Sequence, residues 1–120
     1  MSLKDLEAYQ KAFNLSSDIF MVSDTFPEYE TDSLTRQIRR TSKAVYENIG
    51  SAYKKRKRLK HFIKKLASSN IENTECKMWM KFASASNYLT PEEYKDLIAR
   101  NIEVDKLINF MINNPKKFTA

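Results

Sequence analysis

The chain has 120 residues, 42% of them hydrophobic and 30% charged, and its 21 Lys and Arg against 15 Asp and Glu give a net charge of +6. A chain of this length forms one domain that buries a core without staples, and its single cysteine, Cys76, excludes an intrachain disulfide. One glycine and three prolines are too few for the turns of a sheet protein, so we predict a chain that is nearly all helix.

The first twenty residues alternate charged and apolar positions and contain no unbroken apolar run. This pattern is unlike a secretory signal or a membrane span, so we expect a cytoplasmic protein with no membrane partner. The apolar residues instead recur at helical spacing and predict a first helix over about 3–22. They form one broad stripe of two rows: Leu6, Tyr9, Phe13 and Phe20, and Ala8, Ala12, Leu15, Ile19 and Val22.

A second helix is predicted over about 33–53, after the helix-breaking pair Phe26-Pro27. Thr31, Asp32 or Ser33 is the candidate cap at its start. Its apolar residues recur every three or four positions and predict an inner face. These are Leu34, Ile38, Thr41, Val45, Ile49 and Ala52, while Arg36, Arg40, Lys43 and Glu47 fall on the outer side.

The third helix is predicted over about 58–88, with an apolar row and a neighbouring row that contains Met78 and Phe82. Small polar residues interrupt these rows, namely Ser68, Ser69, Asn70, Asn73 and Thr74. They permit close helix packing with hydrogen bonds across the core or else face another subunit, and we favour internal packing.

The fourth helix, over about 91–113, has the clearest start signal in the chain. Thr90 is the predicted N-cap, Pro91 occupies the first helical position, and Glu93 completes a capping box. Asn113-Asn114-Pro115 ends the helix.

Four helices of about 20 residues joined by short corners predict an all-α, antiparallel up-down four-helix bundle. The bundle forms one domain over 1–114, and the tail over 115–120 is predicted to be frayed. Without a break at 54–58, the second and third helices would fuse into a rod of over 50 residues, longer than ordinary globular helices. We therefore place a corner there, where neighbouring basic side chains repel each other.

Groups suited to catalysis are scarce. His61, the only histidine, lies among basic residues with no adjacent acid to orient its ring, which favours a solvated surface residue. Cys76 falls on an apolar row and is predicted to be a buried structural thiol. Glu72 and Glu75 lie one turn apart but have no histidine partner, so we expect no metal site. The sequence predicts a protein that is not an enzyme and has no cofactor.

The positive charge is concentrated in residues 36–65, which hold twelve Lys or Arg and one acid, Glu47. The rest of the chain has an acidic excess. These twelve bases are the candidate nucleic-acid-binding residues: Arg36, Arg39, Arg40, Lys43, Lys54, Lys55, Arg56, Lys57, Arg58, Lys60, Lys64 and Lys65.

Several segments resemble the 23S rRNA-intervening sequence protein family over nearly the whole chain. Family members have Phe-Pro followed by Leu-x-x-Gln-Ile-Arg-Arg-Ala, and here Phe26-Pro27 precedes the stretch LTRQIRRT, residues 34–41. Asn48-Ile49 matches the start of the family's Asn-Ile-Ala-Glu-Gly, but Gly50-Ser51-Ala52 replaces its last three residues. Residues 69–75, SNIENTE, resemble a weakened copy of the family's Gly-Ser-Leu-x-Glu-x-Glu segment. The family's glycine-containing corner after the second helix is replaced by the basic run.

The resemblance implies a bacterial left-handed antiparallel four-helix bundle that assembles into a homopentamer, without an established enzymatic activity. Some bacteria encode such proteins inside inserts of 23S rRNA genes. A protein of similar fold, the accessory determinant of diversity-generating retroelements, is a basic pentamer that binds nucleic acid and a reverse transcriptase.

Two functions are compatible with these features. In the first, the basic residues bind RNA or DNA without sequence readout, and Tyr53 offers a ring on which an unpaired base stacks. In the second, the protein is an interaction or scaffold module whose basic face meets an acidic protein partner. Met78, Trp79 and Phe82 are then candidates for a subunit interface. We favour the first.

Overall fold

The structure, a computed structural model, describes residues 2–119, so Met1 of the predicted domain and Ala120 of the predicted tail lie outside the described residues. The described chain forms four α-helices and no strand, which confirms the predicted all-α four-helix bundle. The helices are α1 Glu7–Ser23, α2 Arg36–Lys54, α3 Leu59–Ala85 and α4 Pro91–Asn113.

Each helix packs on two neighbours, because α1 and α3 both lie between α2 and α4. The helices α2 and α3 are antiparallel, because residues later in α2 contact residues earlier in α3. Ser69 Oγ donates to the Val45 carbonyl at 2.7 Å, and His61 Nε2 lies 3.3 Å from the Ser51 carbonyl. The corner between α2 and α3 therefore lies at one end of the bundle, beside the start of α1. An open cleft of about 820 Å³ there is lined by Ser2, Leu3, Gly50, Ser51 and Tyr53 to Arg56.

The core follows the predicted apolar rows of α2, α3 and α4. Its most deeply buried side chains include Ile38, Ile49, Phe62, Leu66, Met80, Val104 and Ile108. Polar side chains cross the core among them. Ser69, Asn73 and Asn101 are fully buried and hydrogen-bonded to neighbouring helices, which confirms the internal packing predicted for Ser69 and Asn73.

Two parts of the predicted apolar rows do not face the core. Phe13 and Phe20 on α1 are 47% and 43% exposed, and Met78 and Phe82 on α3 are 63% and 50% exposed. The broad stripe predicted on α1 is therefore buried only in part. A helix buries a stripe about 100° wide against its neighbours, so side chains at the edge of a broader stripe stay exposed, although Leu6 of the same row lies in the core.

The helix ends differ from prediction by a few residues. A 3₁₀ turn, Leu3–Asp5, precedes α1, and a π-helical turn, Thr31–Thr35, runs directly into α2 without a side-chain cap. The α3 helix ends before Asn87, whose φ of 63° reverses the chain. In the predicted tail, Pro115–Lys117 forms a 3₁₀ turn and Phe118 packs edge-on against Phe110, with ring centroids 6.0 Å apart.

The predicted corner at 54–58 is confirmed. The backbone leaves helical geometry at Lys55, with φ −114° and ψ 35°. Arg56 stabilises the break because its Nη1 donates to the Tyr53 carbonyl at 3.0 Å and its guanidinium stacks on the Tyr53 ring at 4.2 Å. A basic side chain that binds a terminal carbonyl is favourable at a helix C-terminus. The basic run thus ends α2 without glycine or proline.

Candidate nucleic-acid interface

The basic corner, defined as Lys54, Lys55, Arg56, Lys57 and Arg58, projects from one end of the bundle. Four of its five side chains are exposed, and Arg56 is half-buried against Tyr53. Lys60 and Lys64 continue the exposed positive surface down the first turns of α3, and Lys65 beside them is half-buried. These eight bases lie close together because they fall within twelve consecutive residues, 54–65, so their proximity does not depend on contacts between distant parts of the chain.

Two of the twelve candidate bases are neutralised by carboxylates. Arg39 Nη2 lies 2.7 Å from Asp24 Oδ1, and Arg39 Nε donates to Ser23 Oγ at 2.7 Å. Arg40 bridges to α3, with its two Nη atoms 3.4 Å and 3.5 Å from Glu72 and Glu75. Each arginine therefore joins α2 to a neighbouring helix, so its charge is less available to a ligand.

The other ten bases form no ion pair with a carboxylate anywhere in residues 2–119. They do not all lie together, however. Arg36 is separated from Lys54 by about 27 Å along α2, at 1.5 Å per residue, and Lys43 lies between them. The structure thus brings the basic corner together with Lys60, Lys64 and Lys65 and leaves Arg36 near the opposite end.

Three lysines outside the twelve candidate bases lie at the same end of the bundle as the basic corner. Lys4 precedes α1, and Lys116 and Lys117 follow α4. Lys117 Nζ lies 5.1 Å from the centre of the Phe110 ring. These lysines are far from residue 54 in sequence, so only the packing of the chain termini beside the corner reveals them.

The remaining candidate groups have structural partners. Cys76 is buried, and burial raises the pKa of its thiol to about 12. Glu72 and Glu75 accept ion pairs from Arg40, and His61 is half-buried rather than fully solvated. The described residues contain no cluster of three or more His, Cys, Asp or Glu suited to a metal ion. Among them there is also no helix with the length and apolar character required to cross a bilayer.

Known proteins resemble the chain in sequence pattern and in fold. The family model described as 23S rRNA-intervening sequence protein matches residues 4–110. A crystal structure of a protein with unknown function from the S23 ribosomal protein family of Bacteroides thetaiotaomicron superposes with a TM-score of 0.82. The alignment has 22% sequence identity and covers 92% of this chain and 98% of that chain, a level of identity that shows a shared fold. No curated protein matches the sequence. Because the family match extends from the start of α1 almost to the end of α4, the chain belongs to the 23S rRNA-intervening sequence protein family.

Proposed function

We propose that the protein is a non-enzymatic nucleic-acid-binding bundle that contacts RNA or DNA through the basic corner and the adjoining lysines of α3. The observation that carries the proposal is the run of five consecutive bases at one corner, none paired with a carboxylate of residues 2–119. Arg39 and Arg40, by contrast, have internal partners. Positive side chains crowded together without neighbouring carboxylates repel each other, and a bound polyanion reduces this repulsion.

Counterion release supplies the binding free energy. Each phosphate neutralised by Lys or Arg releases a condensed cation, so affinity falls as salt rises and depends little on base sequence. Eight bases lie in the basic corner and the first turns of α3. If about six of them contact phosphates, the slope of log affinity against log salt is about −5 on duplex DNA.

The test measures binding of the full chain to RNA and DNA by fluorescence anisotropy across a salt series. The triple variant Lys55→Gln, Lys57→Gln and Arg58→Gln removes three exposed charges and leaves Arg56 in place to end α2. We expect the variant to bind weakly and its salt slope to shrink by about 3, or about 1 per lost phosphate contact.

A matched control removes the same net charge from the opposite half of the bundle, through Lys77→Gln, Lys81→Gln and Lys95→Gln. These lysines form no ion pair among the described residues, and we expect the control to bind like the native protein. Equal losses in both variants would show that net charge, rather than the basic corner, drives binding. Absence of binding to RNA and DNA at low salt would refute the proposed function.

An alternative function, as an interaction or scaffold module, is favoured by an exposed apolar strip on α3. Ile71, Met78 and Phe82 are each at least half exposed, and their spacing of seven and four residues places them on one side of the helix. A groove of about 490 Å³ beside the strip is lined by Gln37, Arg40, Glu75, Met78, Trp79 and Phe82.

In this alternative the strip joins copies of the chain into a homopentamer, the assembly implied by the family resemblance. The basic corner then meets an acidic protein partner. Assembly is compatible with nucleic-acid binding as well, because it multiplies the basic corners on one particle. The binding assay separates the two functions, since a scaffold module is not expected to retain RNA or DNA.

A further inference from the structure

Tyr53, which directly precedes the basic corner, is already covered by another side chain. Tyr53 is 6% exposed, and the Arg56 guanidinium stacks over its ring at 4.2 Å. The same guanidinium donates to the Tyr53 carbonyl at 3.0 Å, which fixes the stacked geometry. The ring that the sequence offered as a platform for an unpaired base is therefore occupied from within the chain.

The neighbouring rings are engaged as well. Phe62 is fully buried in the core, and His61 is half-buried with Nε2 3.3 Å from the Ser51 carbonyl. Leu59 is 55% exposed but aliphatic, so it has no π face. Residues 53–62 thus present cations to solvent and hold all three of their rings against the bundle.

The covered rings affect which kind of nucleic acid the basic corner binds. Proteins that bind single strands combine a basic groove with aromatic rings on which bases stack. A duplex hides its base faces but carries one charge per about 1.7 Å of axis, against about 3.4 Å for one strand. Phe110, on α4 at the same end of the bundle, is 46% exposed but already contacts Phe118 and Lys117. The basic corner, with charge and without an available ring in residues 53–62, gains from the denser charge and gains nothing from unpaired bases.

Resting on the proposed function, we propose that the basic corner recognises the phosphate backbone alone and prefers double-stranded to single-stranded nucleic acid. The bases make no stacking contact with the corner. Arg56 is a positioning residue in this interface, since it holds Tyr53 covered and ends α2 so that Lys55, Lys57 and Arg58 point outward.

The experiment compares three DNA probes of equal length, ~20 nucleotides, by anisotropy with the full chain at low salt, where phosphate contacts are strongest. The first is a single strand, the second is the same strand with abasic residues in place of its nucleotides, and the third is the duplex. We expect the intact and abasic strands to bind within about twofold of each other and the duplex about tenfold more tightly, as charge density dictates.

Loss of affinity on removal of the bases would overturn the inference, because one stacked base contributes about five- to 150-fold. A single strand that binds as tightly as the duplex would overturn it as well. Either result leaves the proposed function intact, since binding itself is observed. Failure of all three probes to bind would instead refute the proposed function and this inference with it.

Discussion

At the residue scale, Asn73 of α3 and Asn101 of α4 form a reciprocal pair of side-chain amides in the core. Asn101 Nδ2 donates to both the carbonyl and the side-chain oxygen of Asn73, each at 3.0 Å. Asn73 Nδ2 donates in return to the Asn101 carbonyl at 3.0 Å. Both residues are almost fully buried, so their hydrogen bonds fix how far α3 slides along α4.

Breaking this pair should destabilise the fold. In Asn73→Ala the Asn101 amide loses its side-chain acceptor in the core, and we expect a loss of about 1–3 kcal/mol in the free energy of unfolding. Asn101→Ala should cost a similar amount, and the double variant less than the two together. Urea unfolding followed by circular dichroism measures all three.

The surface variant Asn14→Ala is the control, since this exposed residue on α1 should change stability by less than about 0.5 kcal/mol. Additive losses in the double variant would contradict the coupling of the two amides.

The buried thiol of Cys76 gives a second prediction at this scale. It is 1% exposed, and burial raises its pKa from 9.0 to about 12. Near pH 8 it should not react with a thiol reagent in the folded protein and should react fully in denaturant. Rapid reaction without denaturant would contradict its burial.

The raised pKa of the Cys76 thiol also determines how the stability of the fold changes with pH. Between about pH 9 and 12 the unfolded chain loses the Cys76 proton while the folded chain keeps it, so stability falls as pH rises. Relative to Cys76→Ala, the native protein should lose on the order of 1 kcal/mol per pH unit in that window. Urea unfolding at pH 8 and 10 measures the difference.

At the element scale, the capping box of α4 was predicted from Thr90 and Glu93 and is confirmed. The Glu93 amide donates to Thr90 Oγ1 at 3.1 Å, and the Thr90 amide donates to Glu93 Oε1 at 2.8 Å. The start of α2 was not predicted correctly. The candidate caps Thr31, Asp32 and Ser33 lie inside a π-helical turn that extends the helix, so its backbone replaces side-chain capping.

Because α4 has a side-chain cap and α2 has none, replacing threonine with alanine should affect stability differently at the two helix starts. Thr90→Ala should lower the free energy of unfolding by about 1 kcal/mol, because the Glu93 amide loses its acceptor. Thr31→Ala should change it little, since the Thr31 side chain makes no cap. Thermal unfolding of both variants provides the comparison, and an equal loss in each would show that Thr31 does cap α2 in solution.

Apolar spacing predicted where the helices lie but not which of two rows faces inward. On α1, Ala8, Ala12, Leu15 and Ile19 form the buried row, and Phe13 packs at its edge on Tyr46 with ring centroids 5.0 Å apart. Ala8 and Ala12 share the buried row with the larger Leu15 and Ile19, so side-chain size does not decide which row is buried. Residue hydrophobicity alone does not reveal that choice.

At the scale of the whole molecule, the two ends of the bundle carry opposite charge. The basic corner lies at one end with Lys4, Lys116 and Lys117. The other end holds the acids before α2 and at the start of α4: Asp24, Glu28, Glu30, Asp32, Glu92 and Glu93. The sequence predicted the basic zone because its members are adjacent. It did not reveal the partners of Arg39 and Arg40, since Asp24, Glu72 and Glu75 come close only through folding.

The sides of the bundle are unequal as well, and α3 provides the clearest case. It carries apolar residues both on its buried face and on the strip formed by Ile71, Met78 and Phe82. An exposed apolar strip of this kind is typical of a surface that another chain covers. The sequence identified Met78 and Phe82 as interface candidates but also assigned them to an apolar row of the helix, and only their exposure separates the two interpretations.

Charging the strip should therefore prevent assembly without unfolding the chain. We expect native mass spectrometry to find the protein as an oligomer and the double variant Met78→Glu, Phe82→Glu as a 14.1 kDa monomer with unchanged helix content. Burying two carboxylates in an interface costs several kcal/mol, more than an assembly of ordinary strength tolerates.

The matched control Met21→Glu, Ile102→Glu charges exposed positions on α1 and α4 and should leave the oligomer intact. A control that dissociates while the α3 variant stays assembled would place the interface on the α1 and α4 side, and a native protein that is monomeric would refute assembly altogether.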